Sequence, residues 1–185
     1  FKVAALMAAL EDEIIDTSSV VDTKRGVKTF YGRRIFDSHN GGYGEISAAK
    51  ALEVSSNIGL ATIIDEGYKD SPNKFIDRIK SFGLADTIGI PIKGEGKPMI
   101  PEPGHSKWSK NALPSIAYGY NLRLTPLQTL NFYNAIANNG IMVKPRFIRK
   151  VRAWNQTIAT FEKEVTNPKL ASKKTISEIQ NILKN

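Results

Sequence analysis

The chain has 185 residues, of which 41% are hydrophobic and 24% are charged, and its formal net charge is +8. These proportions are ordinary for a globular protein, and they exclude a disordered tail, a collagen-like repeat and a coiled coil. The chain contains no cysteine, which excludes disulfides, Cys-based zinc sites and cysteine catalysis. It has only two histidines, and no apolar run reaches the ~20 residues that span a membrane.

The first residues form an apolar helical pattern, which predicts a helix from about Phe1 to Glu13. A helix that is apolar on all sides belongs in the interior of a protein, so we expect this chain to be a fragment of a longer one. Lys2 is the only early charge in the helix. Because lysine is almost never fully buried without a partner, its place at the head of a buried helix needs an explanation.

Two shorter helices are predicted in the next part of the chain, after a polar segment in which residues 27–34 can form strands. The first runs from about Glu45 to Val54, and the second runs from about Ile58 to Glu66, with Gly67 as its C′ stop. They are separated by Ser55-Ser56-Asn57, residue types that favour caps and turns over helix interiors.

Two further helices carry clear start and stop signals. One begins at Ser71-Pro72 and ends at Gly83. The other begins with a capping box at Thr125–Gln128 and ends at Asn138-Asn139-Gly140. The stretch between them, about Leu84 to Leu124, is predicted to be a long irregular loop, and loops of this length are uncommon unless they are functional or disordered.

The last part of the chain predicts a β-hairpin and a final helix. Residues 145–151 and 157–165 flank a turn at Trp154-Asn155-Gln156, and the helix runs from about Ser172 or Thr175 to the end. Five of the nine residues from 144 to 152 are basic. A solvated hairpin explains them better than a nucleic-acid site, because charged side chains mostly stay in water. The expected fold class is α+β and mostly helical.

Chemistry is suggested by Lys2 together with Ser55-Ser56-Asn57. A lysine in a dry site has a depressed pKa and can act as a general base, which a serine hydroxyl needs to become a nucleophile. Ser55 and Asn57, two positions apart in an extended turn, can present a hydroxyl and an amide to one pocket. Taken alone, however, the Ser-Ser-Asn turn is better explained as a helix cap, and Lys2 is better explained as a solvated lysine near the end of a fragment.

At these residues the sequence resembles the class B penicillin-binding proteins, most of all the FtsI-like cell-division D,D-transpeptidases. The order and spacing of the similar segments agree over nearly the whole chain. The segments are the helix after the nucleophile (Phe1–Glu11), the Ser-Ser-Asn motif (Ala51–Gly59), the Gly-Tyr and Thr-Pro-Leu-Gln segments (Ala117–Tyr120 and Leu124–Leu130), and Asn134–Gly140.

The resemblance implies specific roles for three residues. A serine two places before Phe1, in a Ser-x-x-Lys motif, would attack the D-Ala-D-Ala bond of a peptidoglycan stem peptide and form an acyl-enzyme. Lys2 would take the proton of that serine, and Ser55 would pass a proton to the leaving amine. Asn57 would hydrogen-bond the acyl-side amide of the substrate and also Lys2. β-Lactams, which mimic D-Ala-D-Ala, would trap the serine.

The resemblance also sets expectations about the chain as a whole. Residues 1–185 would be one fragment of the transpeptidase domain, namely the helical subdomain of the penicillin-binding-protein and serine β-lactamase-like fold. It would start just after the nucleophilic serine and end before the strand of the Lys-Thr/Ser-Gly motif, with most of the central antiparallel sheet missing. Without these two motifs, the fragment itself is expected to be inactive.

The implied setting of the parent is the periplasmic side of the bacterial inner membrane, on an N-terminal anchor helix that is not in this chain. Its partners would be stem peptides, β-lactams and other division or cell-wall synthesis proteins, with no nucleic acid, no metal and no cofactor. Two alternatives stay open: a serine β-lactamase or β-lactam sensor of the same fold, and a non-catalytic helical interaction module.

Overall fold

The computed structural model describes residues 1–185 as seven helices and eight short strands. The helices are α1 (Lys2–Glu11), α2 (Ala48–Glu53), α3 (Asn57–Tyr68), α4 (Pro72–Ser81), α5 (Ala112–Ala117), α6 (Pro126–Ala137) and α7 (Lys173–Ile182). The strands are β1 (Val20–Asp22), β2 (Val27–Phe30), β3 (Arg33–Phe36), β4 (Glu45–Ser47), β5 (Met142–Val143), β6 (Lys150–Ala153), β7 (Gln156–Thr160) and β8 (Val165–Asn167). The expected α+β class is therefore confirmed, and the helices contain more residues than the strands.

Helix α1 is the centre of the core. Every residue from Val3 to Leu10 is buried, and α1 packs against α2, α3, α4 and α7. Four of these eight residues are alanine, and such small side chains let neighbouring helices approach closely. None of the seven helices has the length and apolar character that a membrane span requires.

The strands form four separate two-stranded antiparallel sheets, which pair β1 with β4, β2 with β3, β5 with β8 and β6 with β7. The predicted C-terminal hairpin is confirmed as β6 and β7, with Ala153 opposite Gln156 across the turn. It is shorter than expected, because the segment around Val165 pairs with β5 instead. The basic cluster of this region is almost entirely exposed, and Trp154 at the turn is 100% exposed.

Three predictions about the elements were wrong. Residues 45–47 are a strand rather than the start of a helix, because they pair with β1, where Ile46 lies opposite Val21. Gly67 does not end a helix but lies inside α3, where a Cβ would collide with the side chain of Ile14. The long segment 84–124 contains the buried helix α5. In the sequence, Pro114 indicated a loop rather than a helix, although a proline in the first turn breaks no hydrogen bond within the helix.

Candidate active site

The segment between α2 and α3 places Ser55 in an unusual backbone conformation. The Ser55 N–H donates to the Leu52 carbonyl at 2.9 Å, and the Ser56 N–H donates to the Ala51 carbonyl at 2.8 Å. These two bonds make a Schellman ending for α2, with Ser55 at the C′ position that glycine usually occupies. Its φ is 56°, in the left-handed region, and its side chain is exposed.

The Ser55 hydroxyl meets Lys2 of α1 across the site. The Nζ of Lys2 donates to the Oγ of Ser55 at 2.9 Å, although the two residues are 53 positions apart in the chain. Ser55 is the only hydrogen-bond partner of this Nζ among the residues of the chain. The structure thus brings together two of the three residues that the sequence selected.

The environment of Lys2 favours its neutral form. Burial lowers the pKa of Lys2 below its ordinary value, and the negative charge of Asp37 opposes this in part. A lysine whose pKa is lowered towards neutrality is a better proton acceptor at physiological pH. The hydrogen bond between Lys2 and Ser55 is a path for proton transfer between the two side chains.

Asn57, the third predicted residue, is the first residue of α3 and is half-buried. Its Nδ2 donates to the carbonyl of Phe36 at 2.7 Å. No hydrogen bond joins Asn57 to Lys2, so the contact that the family resemblance implies is not formed in this structure. The carboxamide oxygen of Asn57 has no partner within the chain, which leaves it free to accept a hydrogen bond from a ligand.

Asp37, which was not among the residues selected from the sequence, accepts hydrogen bonds from the first turn of α3. Its Oδ1 accepts from the backbone N–H groups of Asn57 at 2.6 Å and Ile58 at 3.0 Å. Its Oδ2 accepts from the hydroxyl of Ser56 at 2.8 Å, and Ser56 in turn caps the N–H of Gly59 at 2.8 Å. No local pattern marks Asp37, because its partners lie about twenty residues further along the chain.

A pocket of about 360 Å³ opens beside Lys2 and Ser55. Aromatic side chains form part of its wall, including that of Tyr118. Tyr118 also packs against the ring of Tyr120, with centroids 5.1 Å apart. The pocket is lined by Phe1, Lys2, Val3, Leu52, Glu53, Ser55, Tyr118, Tyr133, Ile182, Leu183 and Asn185.

A Ser-x-x-Lys spacing also occurs at Ser47 and Lys50, but it does not make a comparable pair. The Ser47 hydroxyl caps α2 by accepting from the backbone N–H of Lys50 at 3.1 Å. The Nζ of Lys50 is exposed and bonds Glu53 at 3.1 Å. No group of three or more His, Asp or Glu side chains is arranged to hold a metal ion.

Comparison with known proteins supports a single family. The family model described as "Penicillin binding protein transpeptidase domain" matches residues 1–185. Penicillin-binding protein PbpB of Mycolicibacterium smegmatis is 24% identical over 162 residues, which cover 88% of this chain and 24% of that protein. Peptidoglycan D,D-transpeptidase FtsI of Escherichia coli is 27% identical over 150 residues, 81% of this chain and 24% of FtsI.

Solved structures show the same fold. Penicillin-binding protein 3 of Mycobacterium tuberculosis in complex with ampicillin matches with a TM-score of 0.80 and 24% identity, covering 98% of this chain and 39% of that one. The transpeptidase domain of Burkholderia pseudomallei penicillin-binding protein 3 matches with a TM-score of 0.80 and 21% identity, covering 98% and 50%. The chain spans about a quarter of the length of the curated relatives named above. Because the family model covers every residue, the chain belongs to the penicillin-binding protein transpeptidase domain family.

Proposed function

We propose that this chain is part of a serine D,D-transpeptidase that cross-links peptidoglycan stem peptides and is acylated by β-lactams. The observation that carries the proposal is the 2.9 Å contact between the Nζ of Lys2 and the Oγ of Ser55, at the edge of a pocket. This contact joins Lys2 to the Ser-Ser-Asn turn, the two features that the sequence suggested as parts of one catalytic site. Relatives named D,D-transpeptidases, and the relative solved with ampicillin and aztreonam, support the same activity.

The residues of this chain fit defined steps of that reaction. The nucleophilic serine, one turn before Lys2, attacks the penultimate D-Ala carbonyl while its proton moves to the Nζ of Lys2. The amide C–N bond then breaks, and Ser55 passes a proton from Lys2 to the departing amine of the terminal D-Ala. An amine from a second stem peptide attacks the resulting ester, which forms the cross-link and releases the serine.

Asn57 has a binding role in this proposal. Its Nδ2 is held by Phe36, so its carboxamide has one orientation, with the oxygen free to accept from the acyl-side amide N–H of the substrate. The full-length protein would work on the periplasmic side of the inner membrane, held there by an N-terminal helix and working with other cell-wall synthesis or division proteins.

The test uses the full-length protein and a fluorescent penicillin, followed on a denaturing gel. We expect the wild type to be labelled and Lys2→Met to be labelled more slowly by ~10²–10⁴-fold, because it lacks the proton acceptor. Lys50→Met is the matched control, since its lysine also follows a serine by three residues but only pairs with Glu53. An unlabelled wild type, or Lys2→Met labelled at the wild-type rate, would contradict the proposal.

The 185-residue chain alone is expected to stay unlabelled. The only hydroxyl that hydrogen-bonds Lys2 in it is that of Ser55, which has the relay position rather than that of the nucleophile. A covalently labelled band from this chain would show that one of its own serines is the nucleophile. For the full-length protein, slow release of the bound penicillin favours a transpeptidase, and rapid release favours a β-lactamase.

A further inference from the structure

We propose that Asp37 is a positioning residue for catalysis, because its carboxylate holds the segment Ser55-Ser56-Asn57 in the conformation that places Ser55 at the pocket beside Lys2 and fixes where Asn57 begins α3. The inference rests on the proposed function. It concerns a residue outside the two motifs of the site, which lies directly after strand β3.

Hydrogen bonds from Phe36 and Asp37, at the end of β3, reach Ser56 and Asn57 of this segment but not Ser55. Asp37 accepts from the Ser56 hydroxyl and from the backbone N–H groups of Asn57 and Ile58, at 2.8, 2.6 and 3.0 Å. The preceding carbonyl, that of Phe36, accepts from the side chain of Asn57 at 2.7 Å. Four hydrogen bonds from two consecutive residues therefore fix where α3 begins and how Asn57 is turned.

Ser55 depends on this arrangement because its own conformation is unfavourable. A serine in the left-handed region is strained, and such strain persists only where the surrounding structure enforces it. On one side, the Schellman bonds of α2 hold Ser55. On the other side, the neighbouring residue Ser56 is held by Asp37, so removal of the carboxylate frees the segment to relax.

The carboxylate also matches the charge of the site. The first N–H groups of a helix lack partners within the helix and carry partial positive charge, which an anion stabilises. Asp37 supplies an acceptor for two of them in α3, and the same negative charge acts on Lys2 across the site.

The experiment measures the acylation rate and the final labelled fraction of the full-length protein with a fluorescent penicillin. For Asp37→Ala we expect a rate that is lower by roughly 10²-fold, the effect of misplacing reacting groups by about 1 Å. The final labelled fraction should equal that of the wild type. Asp37→Asn keeps an oxygen acceptor for the two N–H groups, so we expect a smaller loss, of about 10-fold, because a neutral amide oxygen is a weaker acceptor than a carboxylate.

Asp16 provides the matched control. Its Oδ1 accepts from the backbone N–H groups of Ser18 and Ser19 at 2.8 and 2.7 Å, and from both of their hydroxyls. It is thus a carboxylate cap with a similar set of partners, but it lies past the C-terminal end of α1, whereas Lys2 is at the N-terminal end. We expect Asp16→Ala to be acylated at the wild-type rate.

Three results overturn the inference: an unchanged rate in Asp37→Ala, a lower labelled fraction at an unchanged rate, and an equal slowing in Asp16→Ala. The second of these would mean that Asp37 only stabilises the fold. If Asp37→Ala does not accumulate as folded protein, Asp37→Asn decides, and a wild-type rate in that variant overturns the inference. A wild type that is never acylated is a different outcome, because it refutes the proposed function itself.

Discussion

Ser55 combines an unfavourable backbone conformation with a side-chain hydrogen bond to Lys2. Three helices of this chain end with a non-glycine residue in the left-handed region, namely Glu13 after α1, Ser55 after α2 and Asn139 after α6. Asparagine is a common occupant of this position, whereas serine is not. The hydroxyl of Ser55 accepts the hydrogen bond from Lys2, and under the proposed function this contact is the reason for a serine at a position that favours glycine.

Two variants of Ser55 that both lack the hydroxyl should therefore differ in stability. Glycine adopts a positive φ without strain, whereas alanine keeps the clash of Cβ with the backbone. We therefore expect Ser55→Gly to be more stable than Ser55→Ala by about 1 kcal/mol. Urea denaturation measures the free energy of unfolding, and penicillin labelling should be slowed in both variants. Equal stability of the two variants would mean that Ser55 carries no strain.

Among the contacts between elements, those of Asp12 link α1 to α3 and α4 at the end of α1 that is remote from Lys2. The side chain of Asp12 is 1% exposed and accepts from the Nε of Arg78 in α4 at 2.7 Å. It also accepts from the hydroxyl of Tyr68 in α3 at 2.8 Å. A carboxylate at a helix C-terminus is unfavourable towards the helix dipole, so this buried charge depends on Arg78.

We expect Arg78→Met to lower the free energy of unfolding by about 3 kcal/mol, because it leaves the carboxylate of Asp12 buried without its counter-charge. Lys80→Met is the control in the same helix. Lys80 pairs with Glu102 at 2.8 Å, but the carboxylate of Glu102 is exposed, unlike that of Asp12, so the loss of Lys80 should cost at most about 1 kcal/mol. Equal losses in the two variants would show that Asp12 is not held by Arg78.

At the scale of the whole molecule, α1 organises both the core and the site. Its buried residues contact four other helices, its first residue meets Ser55, and its C-cap residue Asp12 meets Tyr68 and Arg78. Unfolding must therefore expose the hydroxyl of Tyr68, which is fully buried in the folded protein. This couples the stability of the fold to pH in the alkaline range.

Burial and the hydrogen bond to Asp12 raise the pKa of Tyr68 far above its ordinary value. In the unfolded chain Tyr68 ionises near pH 10, so the unfolded state then binds fewer protons than the folded state. Stability should be unaffected by Tyr68 below this pH and should fall above it, by up to about 1.4 kcal/mol per pH unit.

Tyr31 and Tyr133, whose pKa values are also raised by burial, act in the same direction. We expect Tyr68→Phe to reduce the slope of unfolding free energy against pH between about pH 10 and 11, measured by denaturant titration. An unchanged slope would mean that Tyr68 ionises equally in both states.

Features whose causes are local could be predicted along the chain. The capping box at Thr125 and Gln128 was predicted because it depends on contacts within one helical turn, and the start at Ser71-Pro72 was predicted because proline at the first helical position already has a helical φ. Lys2, Ser55 and Asn57 were selected for their residue types, their spacing and their resemblance to family motifs, which are also readable along the chain.

Features whose partners are distant in sequence become visible only in the folded chain. Strand β4 exists because β1 pairs with it, and α5 is stable because all six of its residues are buried in the fold. The 2.9 Å approach of Lys2 to Ser55 and the hold of Asp37 on Asn57 are of the same kind. Such contacts leave no periodic or spacing signal, because they form when packing, rather than local backbone preference, brings separate segments together.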